Sequence, residues 1–166
     1  MSQDIERLLD ETGWQLLAAL QEHARLSYNE LGQRVGLTAP AVSERVRKLE
    51  EAGVITGYHA EINRALVGLP VTAIIRMGLH DSQSSARATA RIREIPEVLE
   101  CARVTGGDTL ILKVAASSIE HLERLIDRLL AYGPLTTSMV LSTPIQKRVV
   151  TREAISQGNT KVDTGS

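Results

Sequence analysis

The chain has 166 residues, a formal net charge of −1 and a single cysteine, Cys101. One cysteine excludes an internal disulfide framework and a cysteine-rich metal site, and the length allows one large domain or two small ones. The near-neutral charge and the few aromatic residues argue against a polybasic arm and against a base-stacking surface for single-stranded nucleic acid. No apolar run is long enough to span a bilayer and the N-terminus lacks an apolar signal segment, so we expect a cytoplasmic protein.

Two helices are predicted near the start of the chain. The first has Asp10 as its N-cap and runs to about Glu22, with leucines at helical spacing on one side. The second begins after Ser27, which forms a capping box with Glu30, so that each side chain accepts a hydrogen bond from the backbone N–H of the other residue. Both starts therefore have local signals in the sequence.

A third helix follows after a short turn. Thr38 is expected to be its N-cap, and Pro40 falls in the first helical turn, where the missing N–H costs little. Gly36 lies in the connection, as a tight turn between helices favours. The pattern predicts a helix-turn-helix and therefore a DNA-binding protein. The alternative is a solvated, charged helix face in a helical bundle, against which the two caps and the glycine turn argue.

Helical periodicity divides the third helix into an apolar face and a polar face. Arg47 on the polar face is a candidate for base edges or phosphate, whereas Lys48 and Arg45 are better placed for phosphate. Glu44 can accept from cytosine N4 or pair with Lys48 four residues later, and both interpretations stay open. The residues expected in the core are Val42, Val46 and Leu49. The candidate DNA-contacting residues are Thr38, Pro40, Ser43, Glu44, Arg45, Arg47 and Lys48.

The segment from Val54 to Ile62 predicts a strand pair or wing that bends at Gly57. It completes a predicted winged helix-turn-helix domain over residues 1–62. The glycine and proline of residues 63–70 predict a linker. A second domain should therefore begin at about residue 71.

Strand and helix patterns alternate from Val71 onward in the order β-α-β-β-α-β. This order predicts a ferredoxin-like sandwich over residues 71–150 and gives the whole chain the class α+β. Ser117 and Glu120 are expected to form a capping box at the second helix of the sandwich. The polar residues 151–166 are predicted to be a disordered tail. The predicted strands are residues 71–79, 98–104, 109–115 and 136–143, with a continuation through 145–150 left open, and the first helix of the sandwich covers residues 82–94.

A winged helix-turn-helix followed by this sandwich resembles the Lrp/AsnC (feast/famine) family of bacterial and archaeal transcription regulators. The resemblance covers about residues 8–148 and is carried by Leu9-Asp10, Leu16-Leu17, the run LSYNELGQRVGLTAPAVSERVRKLEEAGVITGY, Gly68 and VTGGDTLILKV. The chain departs from the family at Gly13, where an aspartate is frequent. It also departs in the loop Gly106-Gly107-Asp108-Thr109, which lacks the aromatic residue that many members have before the aspartate.

The resemblance implies a homodimer formed through the second domain, with further assembly to tetramers or octamers. It also implies double-stranded DNA that is wrapped or bent, and a small-molecule effector, usually an amino acid, bound at the interface between dimers. Binding of the effector would alter assembly or DNA affinity. The loop of one protomer and the last strand of a neighbour would form the effector pocket together.

The effector site can also be described in physical terms. Glycines at Gly106 and Gly107 can bring backbone N–H groups close to a ligand carboxylate. Asp108 can pair with an ammonium group, and Thr109 can add a hydroxyl. A plain hairpin turn is the alternative, because Gly-Gly-Asp is good turn chemistry by itself. The candidates on the last strand are Leu135, Thr136, Thr137 and Ser138.

Two other functional classes are alternatives to a regulator. The four histidines lie on different predicted elements without metal-site spacing, and no phosphate-binding loop or nucleophile motif occurs, so neither an enzyme nor a cofactor is expected. Sirohaem decarboxylase subunits also look like this family, but they would need basic and histidine groups around a tetrapyrrole, for which His80 is the obvious candidate. A ligand-sensing scaffold that no longer binds DNA is the third hypothesis. The predicted function is a sequence-specific, DNA-binding transcriptional regulator that responds to an amino acid.

Overall fold

The structure, a computed structural model, describes residues 3–79 and 82–156. The chain forms two compact units, one made of the residues up to Ala60 together with those from Ile145 onward, and the other of Glu61–Pro144. The first boundary lies within two residues of the predicted one. Residues 145–150, predicted as the end of the second domain, instead group with the first unit. Every helix in the described ranges is too short or too polar to cross a membrane.

The N-terminal part of the first unit contains four helices, of which the shortest, α1, was not predicted. Asp10 caps α2 as predicted, because its Oδ1 accepts the backbone N–H of Gly13 at 2.7 Å. The capping box of Ser27 and Glu30 at the start of α3 is also confirmed. Thr38 occupies the N-cap position of α4, but its side chain makes no capping hydrogen bond. The helices are α1 (Gln3–Leu8), α2 (Glu11–Glu22), α3 (Tyr28–Val35) and α4 (Ala39–Glu51). The core shared by α2, α3 and α4 consists of Leu16, Ala19, Leu20, Leu31, Val42 and Val46.

The segment predicted as a strand pair contains no strand. All of residues 54–62 are described, and they form turns and irregular backbone. A hairpin needs backbone hydrogen bonds between its two arms, and none joins the residues on either side of Gly57. The prediction of strands was therefore wrong, although the segment occupies the place in the chain expected of a wing.

The second unit is a four-stranded antiparallel sheet with two helices, in the predicted order. Its strand order is β2-β3-β1-β4, as in a ferredoxin-like fold, so β2 and β4 form the two edges. The elements are β1 (Val71–Met77), α5 (Ser82–Ile92), β2 (Val98–Arg103), β3 (Leu110–Ala116), α6 (Ile119–Leu130) and β4 (Leu135–Met139).

The core of the second unit lies on one face of the sheet. Alternate residues of β1 and β3 face α5 and α6 there, because successive side chains of a strand point to opposite sides. The central members are Ile75, Met77, Leu112 and Leu125, all fully buried. The other face of the sheet is not covered by a helix of this core.

Three details of the second half differ from prediction. The N-cap of α6 is Ser118, whose Oγ accepts the N–H of His121, and not Ser117. The last strand ends at Met139, and residues 145–150 form no strand. A short helix, α7 (Arg152–Ser156), occupies part of the predicted disordered tail. The rest of that tail, residues 157–166, lies outside the described residues.

A side-chain clamp ties the C-terminal segment to the first unit. The amide of Gln21, on α2, donates to the carbonyl of Val150 at 3.1 Å and accepts its N–H at 2.9 Å. Arg152 approaches Glu11 at 3.7 Å at the other end of α2. Long-range contacts of this kind explain why residues 145–150 belong to the first unit, since a local pattern contains no information about them.

Candidate functional site

The turn between α3 and α4 is set by two glycines. Gly36 has a φ of 69°, the left-handed conformation that ends α3. Gly32 was not singled out in the sequence, yet a Cβ there would lie 2.4 Å from the carbonyl oxygen of Leu37. Its missing side chain lets the turn fold back onto α3, where Leu37 donates to the Gly32 carbonyl at 3.0 Å. The sequence signal that could have identified this close approach is the position of Gly32, four residues before Gly36.

The exposed face of α4 carries a compact ion-pair network. The Glu44 carboxylate accepts from Arg47 at 2.7 and 3.0 Å and lies 3.4 Å from Lys48 Nζ. Arg47 also pairs with Glu51. Hydrogen bonding from Arg47 lowers the pKa of Glu44 to about 2, and the two carboxylates raise the pKa of Arg47. The predicted pairing of Glu44 with Lys48 is present, and both cations lie at the surface.

Arg45 is engaged elsewhere. Its two terminal nitrogens bind the Asp10 carboxylate at 2.8 and 2.9 Å, so it links α4 to the N-cap of α2. This bond is the main reason why the pKa of Asp10 falls below its usual value. The expected phosphate contact thus competes with a contact between helices that lie 35 residues apart.

The other DNA candidates follow the predicted division of the helix. Thr38 and Pro40 are exposed, and Ser43 is half-buried at the flank. The apolar stripe is confirmed, because Val42, Val46 and Leu49 are all buried. The structure therefore brings together one exposed surface, which we call the α4 surface. Its members are Thr38, Pro40, Ser43, Glu44, Arg47 and Lys48.

Tyr58 connects the irregular wing segment to the end of α4. Its hydroxyl donates to Glu50 Oε1 at 2.9 Å. Burial and the neighbouring Glu50 raise the pKa of Tyr58 to about 12. This hydrogen bond joins the wing segment to the last turn of α4.

The candidate effector loop and the start of β4 meet at one end of the sheet. Met77 pairs with Leu110 on one side and Leu135 on the other, which aligns the ends of three strands. Beyond Met77, a Cβ on Gly78 would lie 3.8 Å from the Pro134 ring and 3.9 Å from the Gly107 carbonyl oxygen. The two predicted parts of the site are thus neighbours within one protomer.

Within the loop, Thr109 is already used by the fold. Its hydroxyl accepts the N–H of Leu79 at 3.1 Å and donates to the Leu79 carbonyl at 3.2 Å. Asp108 is half-buried and has no ion-pair partner among the described residues. Gly106 has a φ of 114°, a conformation open to glycine, and both loop glycines are exposed. Within the described ranges, exposed backbone groups of the loop therefore lie beside a carboxylate that has no ion-pair partner.

The four candidates on β4 are divided between two faces. Thr136 and Ser138 pair with Arg76 and Ile74 and face away from the helices, and both are exposed. Leu135 and Thr137 face the helical layer, where the Thr137 hydroxyl oxygen is buried without a hydrogen-bond partner. A single ligand cannot line up along all four, because alternate residues of a strand point in opposite directions.

A charge cluster that the sequence analysis did not identify lies at the start of α6. Glu97 Oε1 is 2.9 Å from His121 Nε2 and 2.5 Å from Arg128 Nη2. Burial by itself would raise the pKa of Glu97, but these two hydrogen bonds outweigh it and the pKa falls. The described residues contain no group of three metal-ligating side chains, and His80 lies outside them.

Comparison with known proteins agrees with this architecture. Residues 9–56 match the family model for a winged helix-turn-helix DNA-binding domain, and residues 71–150 match that for the Lrp/AsnC ligand binding domain. The HTH-type transcriptional regulator YezC of Bacillus subtilis is 42% identical over 135 residues, which cover 81% of this chain and 95% of that protein.

Two solved structures have the same fold along nearly their whole length. The transcriptional regulator of Neisseria meningitidis in complex with L-Met has a TM-score of 0.83 at 28% identity, and the match covers 89% of this chain and 99% of that one. The feast or famine regulatory protein of Mycobacterium tuberculosis complexed with L-methionine has a TM-score of 0.79 at 32% identity, and the match covers 86% and 99%.

The caps, the glycine turn and the exposed α4 surface, followed by an αβ ligand-binding unit, define a DNA-binding transcriptional regulator. The chain belongs to the Lrp/AsnC family of these regulators. The predicted family and fold class are thereby confirmed.

Proposed function

We propose that this regulator binds double-stranded DNA as a homodimer, assembles further to a tetramer or octamer, and responds to an amino acid bound between dimers. The proposal of an effector site rests on one observation: the Gly106–Asp108 loop and the start of β4 lie next to each other around Gly78. The two relatives solved with L-methionine support an amino acid as the class of effector.

The α4 surface would enter the major groove, with Thr38 and Pro40 at its leading end. Arg47 and Lys48 would exchange their bonds to Glu44 for DNA phosphates or a guanine edge. Because Arg47 and Lys48 lose their attraction to Glu44 in this exchange, each protomer should bind DNA weakly. Several protomers must therefore bind together. Arg45 would contribute by holding α4 in place.

At the effector site, the exposed N–H groups of Gly106 and Gly107 would receive a carboxylate, and Asp108 would receive an ammonium group. Thr136 and Ser138 would present their hydroxyls to a ligand held by a neighbouring protomer. The half-buried Leu135 and Thr137 would support the strand from the core side. Thr109 would hold the loop in place through its bond to Leu79, and the two glycines and Asp108 would bind the ligand.

The uncovered face of the sheet supports assembly. Arg76, Ile74 and Ile111 lie on it, opposite the helical layer, and the isoleucines are only half-buried in a single chain. A second copy of this face would remove that apolar surface from water. Light scattering that shows a monomer at every concentration tested would contradict this assembly.

Fluorescence anisotropy tests the proposed DNA binding directly. The probes are the DNA upstream of the protein's own gene and a scrambled duplex of equal length, each over a salt series. We expect preferential, salt-sensitive binding to the upstream DNA, which is lost in a variant with Arg47→Ala and Lys48→Ala. Arg124→Ala, an exposed arginine of α6, is the matched control and should bind as the unchanged protein does. Absence of binding at low salt would contradict the proposal.

We also propose that the protein acts in the cytoplasm and has no catalytic function. The relatives it matches have the names of transcriptional regulators. An absorbance band in the Soret region after addition of a haem precursor would support the sirohaem-type alternative instead.

A further inference from the structure

The C-terminal segment, residues 145–152, carries a local excess of positive charge. It contains three cations, Lys147, Arg148 and Arg152, and neither aspartate nor glutamate. The net charge of −1 for the whole chain does not show this excess, because the acidic residues lie elsewhere. Lys147 and Arg148 are exposed, and neither has an ion-pair partner among the residues that the structure describes. Both side chains are therefore available to an anionic partner.

The segment is held on the compact unit that contains the helix-turn-helix. Gln21 bonds to both backbone groups of Val150, at 3.1 and 2.9 Å, and its amide also donates to the Leu17 carbonyl at 3.2 Å. The bond to Leu17 holds the Gln21 side chain against α2. Because Lys147 and Arg148 precede Val150 by three and two residues, they lie within roughly 11 Å of it along the chain.

The docking point lies close to the start of α3. Gln21 is in the last turn of α2, and Ser27, which caps α3, follows six residues later. Leu20 and Leu31 belong to one core, so the two helices are packed together. The first helix of a helix-turn-helix, here α3, crosses the DNA backbone, and helix N-termini are common phosphate contacts. The C-terminal segment therefore joins the unit near the part of the motif that approaches DNA phosphates.

We propose that the C-terminal segment is an additional DNA-contacting element, in which Lys147 and Arg148 bind backbone phosphates beside the groove that the α4 surface occupies. This inference rests on the proposed DNA-binding function and adds two contacts outside the helix-turn-helix. Phosphate contacts carry no sequence information, so the contribution should be the same on every duplex. Because the Gln21 clamp orders the segment before DNA binds, less conformational freedom is lost in the complex.

The test measures DNA affinity of the full-length protein by fluorescence anisotropy over a salt series, with the upstream and the scrambled duplex. The Lys147→Gln, Arg148→Gln double variant should bind both duplexes more weakly. Its slope of log K against log salt concentration should be smaller by up to about 2, since each phosphate contact contributes about 0.9. The Arg87→Gln, Arg124→Gln double variant removes the same charge from exposed positions of the second unit and should keep the original slope.

A clamp variant separates the ordering of the segment from its charge. Gln21→Ala leaves the charge unchanged and releases Val150, so it should weaken DNA binding in the otherwise unchanged chain. In the Lys147→Gln, Arg148→Gln background the same change should have almost no effect, because the cations that the clamp positions are gone. Equal weakening in both backgrounds would mean that Gln21 acts only on the fold, which would contradict the proposal. Circular dichroism would verify that each variant is folded.

The remaining outcomes are also decisive. Light scattering should show the same assembly for the Lys147→Gln, Arg148→Gln variant as for the unchanged protein. A smaller assembly would assign the two cations to contacts between protomers, and that result, or equal slopes in both double variants, would overturn the proposal. Equal slopes with intact DNA binding would leave the proposed regulator function standing, whereas no binding by the unchanged protein at low salt would contradict both.

Discussion

Arg45 and Asp10 form a two-point bond, at 2.8 and 2.9 Å, while the same carboxylate caps α2 through the Gly13 N–H at 2.7 Å. One side chain thus serves the start of α2 and the position of α4. A change at Asp10 removes both interactions, whereas a change at Arg45 removes only the ion pair. The two variants can therefore separate the cap from the link between helices.

We expect Asp10→Ala to lower the free energy of unfolding by about 1–2 kcal/mol and Arg45→Gln by less than about 1 kcal/mol, measured by urea denaturation. The salt dependence of DNA binding should change little in Arg45→Gln. If Arg45→Gln leaves stability unchanged but flattens the salt dependence of DNA binding, then Arg45 is a phosphate contact.

Glu44 pairs with both surface cations of α4, so its removal should free Lys48 and leave Arg47 paired with Glu51 alone. We expect Glu44→Gln to bind both the upstream and the scrambled duplex more tightly, because a negative charge near the phosphates is lost. Glu51→Gln, which releases Arg47 from one partner only, is the control and should have a smaller effect. If Glu44→Gln weakens binding to the upstream duplex alone, Glu44 reads a base.

The ion-pair network also predicts a pH dependence. The folded-state pKa of Glu44 is lowered from 4.5 to about 2, so its contribution to stability is present above the unfolded value and is lost as pH falls through this window. The thermal midpoint of Glu44→Gln should therefore fall less between pH 4.5 and about 2 than that of the unchanged protein. Glu123→Gln changes an exposed carboxylate of α6 and should follow the unchanged protein. Parallel curves for all three proteins would refute the assignment.

The Thr109 hydroxyl bridges both backbone groups of Leu79, and valine cannot replace it. Thr109→Val should lower the free energy of unfolding by about 1–3 kcal/mol, because partly buried backbone groups lose their partner. Thr109→Ser keeps the hydroxyl and should lose much less. Calorimetric titration with L-methionine would show whether the loop must be fixed for binding. Equal stability of the valine and serine variants would contradict this role.

The Gln21 clamp predicts a local effect at the other end of the chain. Gln21→Ala should speed hydrogen exchange at the Val150 amide, since that N–H loses its acceptor at 2.9 Å. Gln15→Ala, on the same helix, removes a side chain that bonds to Glu11 at 3.3 Å and should leave Val150 unchanged. Unaltered exchange in Gln21→Ala would mean that other contacts hold the segment.

Local signals predicted the elements well. The caps at Asp10 and Ser27 act over three residues, and the β-α-β-β-α-β order follows from hydrophobic period and turn residues, so both were available from sequence. The wing strands failed because pairing depends on a partner segment, which the pattern VITGYHAEI does not specify. The boundary at Ser117 failed by one residue, since two adjacent serines offer the same cap.

The sequence by itself determined the family, the helix-turn-helix and the β-α-β-β-α-β order. It also determined the apolar and polar faces of α4. All of these follow from residue spacing within single helices and strands. Only the tertiary structure decided that Arg45 bonds to Asp10, that β4 divides its candidates between two faces, and that Val150 returns to Gln21. Each of these joins residues far apart in the chain or depends on strand register. Such contacts arise from the packing of whole elements, which the spacing of residues within one element does not encode.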